Sequence, residues 1–326
     1  MNETVLQVED LRTHFYTRSG VVKAVDGVSF SVAEGETLGI VGESGSGKSM
    51  TALSILRMVP IPAGQIVGGK ILLRGENLLE KSEKEMRKVR GRRISMILQD
   101  PMTSLDPLFT IGEQLAEPIR IHQRSSTASV EGRVEEMLGL VKIPSPERRV
   151  HDYPHQMSGG MRQRIVGAIA LACQPELLIA DEPTTSLDVT IQLQFLALLK
   201  DVQRQLGLAM IVITHDFGIV ARICHRVAVM YAGRIVEGAD VRTLFRNPRH
   251  PYTIALLKSL PRLGAETERL FSIGGQPPDP RHLPAGCSFA PRCSQVMDIC
   301  SSEYPPQRDV GEHHFVSCYW TEKGEG

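Results

Sequence analysis

Residues Gly42 to Ser49 read GESGSGKS, which satisfies the pattern G-x-x-x-x-G-K-[ST] at every fixed position. Glycines let the backbone curl so that successive N–H groups face an anion, and a following helix adds its own N-terminal N–H groups. Gly42, Ser44, Gly45, Ser46 and Gly47 are expected to line this cradle, with Thr51, a turn into the helix, among the nucleotide-binding residues. Lys48 would reach the β- and γ-phosphates, and Ser49 would hold Mg²⁺ through its hydroxyl. The expected ligand is a nucleoside triphosphate. Taken alone, the motif suits kinases, GTPases and motors equally.

A second constellation narrows the chemistry. Leu177 to Glu182 reads LLIADE, an apolar strand delivering two carboxylates at its end. Asp181 suits a Mg²⁺-binding role, and Glu182 that of the general base polarising the attacking water. His215 closes the next apolar run, in VITHD, where it is expected to meet the γ-phosphate or that water, because ligands of open α/β sheets bind beyond strand ends. Ser158-Gly159-Gly160 opens another helical stretch: serine is a favoured N-cap, and two glycines admit a ligand close to exposed N–H groups. One site rarely needs two γ-phosphate cradles, so this one is expected to serve the nucleotide of a partner subunit.

The elements that must position these residues predict an α/β fold with a largely parallel sheet. Thr37–Val41, Leu177–Ala180, Met210–Thr214 and Val227–Tyr231 are short runs of the kind buried on both faces, and a helix is expected over Ser49–Met58. Val227–Tyr231, Ala232-Gly233 and Arg234–Val236 read as a hairpin at the sheet's edge. Between about Asp100 and Gln163 the pattern turns helical, with Val134, Met137, Leu138 and Val141 at helix spacing and a serine-rich loop over Arg124–Ser129. Beyond Pro261 the sequence becomes irregular, rich in proline and glycine.

Lys plus Arg and Asp plus Glu both number 37, a balance that argues against a nucleic-acid partner. The start MNETVLQVED does not read as a signal peptide, and no window approaches the roughly 18 apolar residues of a spanning helix. Membrane association is therefore expected through partner subunits, from a reducing compartment. Cys173 and Cys224 sit in apolar surroundings and read as core. Cys287, Cys293, Cys300 and Cys318 cluster in the proline-rich tail, where four thiols suggest a metal site more than disulfides. The tail has too few apolar residues for a core of its own, so metal is expected to supply its order. Their spacing lacks paired C-x-x-C knuckles, which suits an iron–sulfur cluster, with zinc as the alternative; His313 and His314 could substitute for Cys318 but read rather as exposed loop residues.

In the order of these motifs the chain resembles the nucleotide-binding subunits of ABC transporters, over essentially its first 240 residues. Walker A is GESGSGKS, the Q-loop glutamine is Gln99 in ILQDP, the signature is MSGGM (Met157–Met161), Walker B is LLIADE, the D-loop is Ser186-Leu187-Asp188, and the switch histidine is His215. The signature departs from the usual LSGGQ at its first and last residues, leaving Ser158, Gly159 and Gly160 intact. The resemblance implies that Phe15, rather than Tyr16, stacks on adenine and that Gln99 joins Ser49 and Asp181 around Mg²⁺. It also implies that two domains face head to tail with ATP held between Lys48 of one and Ser158 of the other. RHPYT at Arg249–Thr253, QDPMTSLDP and DEPTTSLDVTIQ are similar to the oligopeptide/dipeptide and nickel importer subfamily. That subfamily implies an ATPase domain over 1–260, with its helical subdomain at about 100–165, and a C-terminal domain over 261–326. It further implies a 4Fe–4S cluster on Cys287, Cys293, Cys300 and Cys318, a second, related ATPase subunit, two transmembrane permeases and an extracytoplasmic solute-binding protein. The expected activity is ATP hydrolysis driving peptide import from the cytoplasmic face of the cell membrane. Nickel or another small solute is the alternative cargo, and a non-transport ABC ATPase the alternative class.

Overall fold

The computed structural model describes residues 3–98, 104–123, 127–185, 188–260 and 271–320. Gln99, Ser186 and Leu187 lie outside the described residues. The described strands are β1 (Thr4–Thr17), β2 (Gly20–Ala33), β3 (Thr37–Val41), β4 (Gly64–Leu73), β5 (Glu76–Asn77), β6 (Ile94–Ile97), β7 (Leu177–Asp181), β8 (Ala209–Thr214), β9 (Arg226–Tyr231), β10 (Arg234–Asp240), β11 (Arg308–Gly311) and β12 (His314–Val316). The chain forms two compact units, one of residues 1–7, 31–37 and 71–213, the other of residues 8–30, 38–70 and 214–326.

In the first unit β6, β7 and β8 run parallel, with Ile94 opposite Leu177, Leu177 opposite Ala209 and Asp181 opposite Ile213. Every residue of β7 and β8 is buried, which accounts for their unbroken Leu, Ile, Val and Ala runs. Helices Ile111–His122, Thr127–Leu140 and Gly159–Leu171 pack on one another, with Val134, Met137, Leu138 and Val141 buried as their spacing predicts. Of the expected loop over Arg124–Ser129, residues 127–129 are helical, and residues 124–126 lie outside the described residues. The helix from Ile111 starts on a capping box. Thr110 Oγ1 accepts the Glu113 N–H at 3.2 Å, and the Glu113 carboxylate accepts the Thr110 N–H at 2.8 Å.

In the second unit β3 and β9 are parallel, and β9 turns into an antiparallel β10. The turn is Ala232-Gly233, both left-handed at φ 45° and 83°, as a two-residue hairpin requires. Placing this hairpin at an edge needs correction: β12 pairs antiparallel with β10, Gly238 opposite Phe315, and β11 pairs with β12. Two strands of three and four residues carry too little periodicity to be read from sequence. The unit's core gathers Val41, Phe217, Val220, Val229, Tyr231, Tyr252 and Phe289. Phe289 belongs to the proline-rich tail and meets Tyr231 and Tyr252, each at 5.3 Å between ring centres. The tail therefore draws order from a core built by distant residues, where its own apolar content had pointed to metal alone. Among the described residues no helix is long and apolar enough to cross a membrane.

Candidate nucleotide site and cysteine pocket

The phosphate loop leaves β3 at Val41 and enters a helix over Lys48–Ile55, capped by Gly47 at φ 104°. A Cβ on Gly47 would collide with the Ala24 carbonyl, and one on Gly42 with the Met230 carbonyl, so both positions need glycine. Gly45 faces open space, and Ser44 is exposed. Lys48 is buried, and its Nζ donates to the Gly42 and Glu43 carbonyls at 2.8 and 2.9 Å, which holds the ammonium inside the curl of the loop. The Ser46 hydroxyl is buried without a hydrogen-bond partner. A buried hydroxyl in that condition fits a phosphate oxygen arriving in the loop. Ser49 is half-buried in the first turn of the helix. Thr51 is fully buried, and its hydroxyl donates to Gly47 O at 3.0 Å, bracing the loop's exit. Phe15 in β1 is half-buried beside Gly64, while Tyr16 is exposed. His215 follows β8 and is exposed, and Asp216 caps the helix Phe217–Ile223 by accepting the Gly218 N–H at 2.7 Å.

In the first unit, Asp181 ends β7 with only 5% of its surface exposed. Glu182 adopts φ 44°, a left-handed conformation unusual for a residue with a side chain. Its N–H donates to Ile213 O at 2.9 Å and its carboxylate accepts the Thr185 hydroxyl at 3.0 Å, so the turn is fixed from both sides. Strain of this kind concentrates at functional sites. Ser158 caps the helix Gly159–Leu171, its Oγ accepting the Met161 N–H at 3.3 Å. A Cβ on Gly159 would meet nothing within 4 Å, while one on Gly160 would press on Ile191, so the exposed start of this helix is open to an approaching ligand. Met157, the departure at the signature's first position, is a core residue. Asp188 caps the helix Val189–Leu206, accepting the Ile191 N–H at 3.0 Å.

The tail's Cys287, Cys293, Cys300 and Cys318 all line one small apolar cavity, together with His250 and Phe289. None of the six cysteines forms a disulfide, and Cys173 is buried as expected of a core residue, with Cys224 half-buried against the core of the second unit. Burial pushes the Cys287 and Cys293 thiols up, so each needs a counter-charge to become a thiolate. Two features suit a sulfur-held group. The Gln295 N–H already donates to Cys293 Sγ at 3.3 Å. His250, whose Nδ1 accepts the Tyr252 N–H at 3.0 Å, is left with a buried Nε2 that has no partner. Yet among the described residues no three His, Cys, Asp or Glu side chains are grouped closely enough to hold an ion. The cysteines are gathered around a cavity without being set as a ligand shell. His314 is no substitute for Cys318: it is buried, not exposed, and its Nε2 lies 2.8 Å from the Glu237 carboxylate. His313 is exposed.

A phosphate-cradling loop after a buried strand, and an acidic pair ending a second buried strand, define an α/β ATPase of the P-loop class. The ABC transporter family model matches residues 25–185, and the model for the oligopeptide/dipeptide transporter C-terminal region matches 236–300. A probable peptide ABC transporter ATP-binding protein of Sinorhizobium fredii is 54% identical over 97% of this chain and 95% of its own. The dipeptide transport ATP-binding protein DppD of Bacillus subtilis is 50% identical over 97% and 95%, and the oligopeptide transport ATP-binding protein OppD of Escherichia coli 48% over 97% and 93%. Among solved structures, a dimeric bacterial ABC transporter cassette, MJ0796, superposes with a TM-score of 0.64 at 27% identity, covering 73% of this chain and 99% of that one. The chain belongs to the ATP-binding proteins of the ABC transporter family.

Sequence reasoning missed several residues that shape the site. Glu237, fully buried in β10, accepts the N–H groups of Arg249 and His250 at 2.7 and 2.9 Å besides meeting His314. It thereby aligns the start of the helix Pro251–Lys258, where Tyr252 accepts the Glu43 N–H at 2.9 Å. The only signal in the sequence is the RHPYT segment itself, which marks a resemblance and gives no partner.

Proposed function

We propose that this chain is the ATP-hydrolysing subunit of an importer of di- or oligopeptides. The observation that carries this reading is near-end-to-end similarity, at about half identity, to curated peptide, dipeptide and oligopeptide transport ATP-binding proteins. In this reading Lys48 and the N–H groups of Gly42–Ser49 bind the β- and γ-phosphates, Ser49, Gln99 and Asp181 hold Mg²⁺, and Phe15 stacks on adenine. Glu182 takes the proton of the attacking water, with His215 and Gln99 positioning water and γ-phosphate. Ser158, Gly159 and Gly160 close on the nucleotide of a second, related subunit; the dimeric state of the structural relative supports that pairing. Two permeases, contacted from the cytoplasmic face of the membrane, and an extracytoplasmic solute-binding protein complete the assembly. The ATPase domain spans 1–260 and the C-terminal domain 261–326.

The C-terminal domain is proposed to bind a 4Fe–4S cluster through Cys287, Cys293, Cys300 and Cys318. The shared apolar cavity supports this, although ligation requires the sulfurs to draw closer together than they stand. Anaerobically purified protein should be brown with iron and sulfide; colourless, zinc-loaded protein would end the cluster assignment. Cargo is tested in cells lacking this chain. Uptake of a labelled dipeptide or short oligopeptide should fail and return with the intact gene, whereas loss of nickel uptake alone would move the assignment to a metal importer.

A further inference from the structure

Glu43 is the sole acidic residue in GESGSGKS, and the phosphate-binding pattern gives it no task. The structure nonetheless grips it firmly. Arg292 forms a two-pronged pair with its carboxylate, Nη1 to Oε2 at 2.7 Å and Nη2 to Oε1 at 3.0 Å. The guanidinium is itself immobilised, since Nη1 also donates to the Tyr231 hydroxyl at 3.2 Å and Nε to Gly274 O at 3.0 Å. The Arg292 side chain is 4% exposed and that of Glu43 27%, so this is not a solvated surface pair of little worth. Glu43's main chain is held as well: its N–H donates to Tyr252 Oη, and its carbonyl is one of the two that orient Lys48. Arg292 stands directly before Cys293, in the short turn Ala290–Arg292 that follows core residue Phe289.

These contacts make a line from the cysteine segment through Arg292 and Glu43 to Lys48, all within one unit. They also settle a charge problem. A carboxylate in the first turn of the loop repels incoming phosphates, and Lys48 alone would only cancel it. With Arg292 bound to Glu43 the loop presents a net positive charge. We propose that Arg292 is a positioning residue for the nucleotide phosphates, by which the cysteine-bearing segment neutralises Glu43 and fixes the phosphate loop. ATP affinity then depends on that segment being in place. The proposal rests on the reading that residues 42–49 bind ATP.

The test is the affinity of the full chain for a fluorescent ATP analogue, with folding monitored by circular dichroism. Arg292→Ala strands a part-buried carboxylate beside the phosphates and should weaken binding by about tenfold. Adding Glu43→Gln to that variant removes the stranded charge and should recover most of the loss, which a purely structural arginine would not allow. Arg292→Lys, which keeps the buried charge but loses the fork, should weaken binding by about threefold and serves if the alanine variant does not fold. Parent-like affinity in folded Arg292→Ala or Arg292→Lys, or a double variant as weak as the single, overturns the proposal. A parent chain that binds no ATP would instead remove the assignment of the loop itself.

Discussion

Gly45 and Gly47 take φ 76° and 104°, left-handed turns that the glycines of one eight-residue motif allow. Phe289, by contrast, is placed by Tyr231 and Tyr252, His314 by Glu237, and Arg292 by Glu43, a partner 249 positions away. The phosphate loop thus carries its conformation locally, while the cysteine segment borrows its conformation from the unit's core and returns the favour by gripping the loop. A motif complete in sequence can still be gripped by a segment that reads as irregular, as Arg292 grips Glu43.

The largest expected effect falls on the borrowed side. Phe289→Ala removes a buried ring shared with two tyrosines and should destabilise the protein by about 3–5 kcal/mol, read from urea unfolding. A loss near zero would mean that the tail is ordered by something other than this core, and the contrast between the two regions would fail. Lys48→Ala probes the local side. ATP affinity should fall by on the order of 10- to 100-fold while the unfolding midpoint stays close to that of the parent, because Lys48 Nζ donates to carbonyls of the loop itself. A large loss of stability there would show that the loop, too, is part of the core's scaffolding.

The smallest effect concerns Asp26, which accepts from Arg234 at 2.7 Å beside the β9–β10 turn. Burial would push its carboxyl up, but the hydrogen bond and charge of Arg234, with Lys23 and Arg12 behind, hold it below the usual carboxylate value. A carboxyl whose pKa is lower folded than unfolded stabilises the fold above its unfolded pKa of about 4 and loses that contribution as pH falls through the folded value. Asp26→Asn should therefore flatten the decline of stability below about pH 4, with a modest cost at neutrality. An unchanged acid profile would remove Asp26 as a titrating anchor of the hairpin.

Much of the fold was legible because it is built from short-range signals. The apolar runs Thr37–Val41, Leu177–Ala180 and Met210–Thr214 read as strands and lie within β3, β7 and β8, and Val134, Met137, Leu138 and Val141 marked a helix face. The loop that follows β3 and enters a helix was legible for the same reason, with Gly47 at φ 104° at the helix start. What could not be read depends on tertiary pairing: strands β11 and β12 are too short for alternation, and Glu237 and Arg292 look like ordinary charges until their partners arrive. Cysteine content told which residues would gather, and the cavity at Cys287, Cys293, Cys300 and Cys318 bears that out, but composition could not tell how close the sulfurs would stand.

In the proposed reaction, ATP is hydrolysed by a water activated at Glu182, the residue at φ 44° directly after β7. Single-turnover hydrolysis and ATP affinity measured together on Glu182→Gln test it most directly. The rate should fall by about 100-fold or more with affinity retained; hydrolysis at the parent rate would remove Glu182 as the general base.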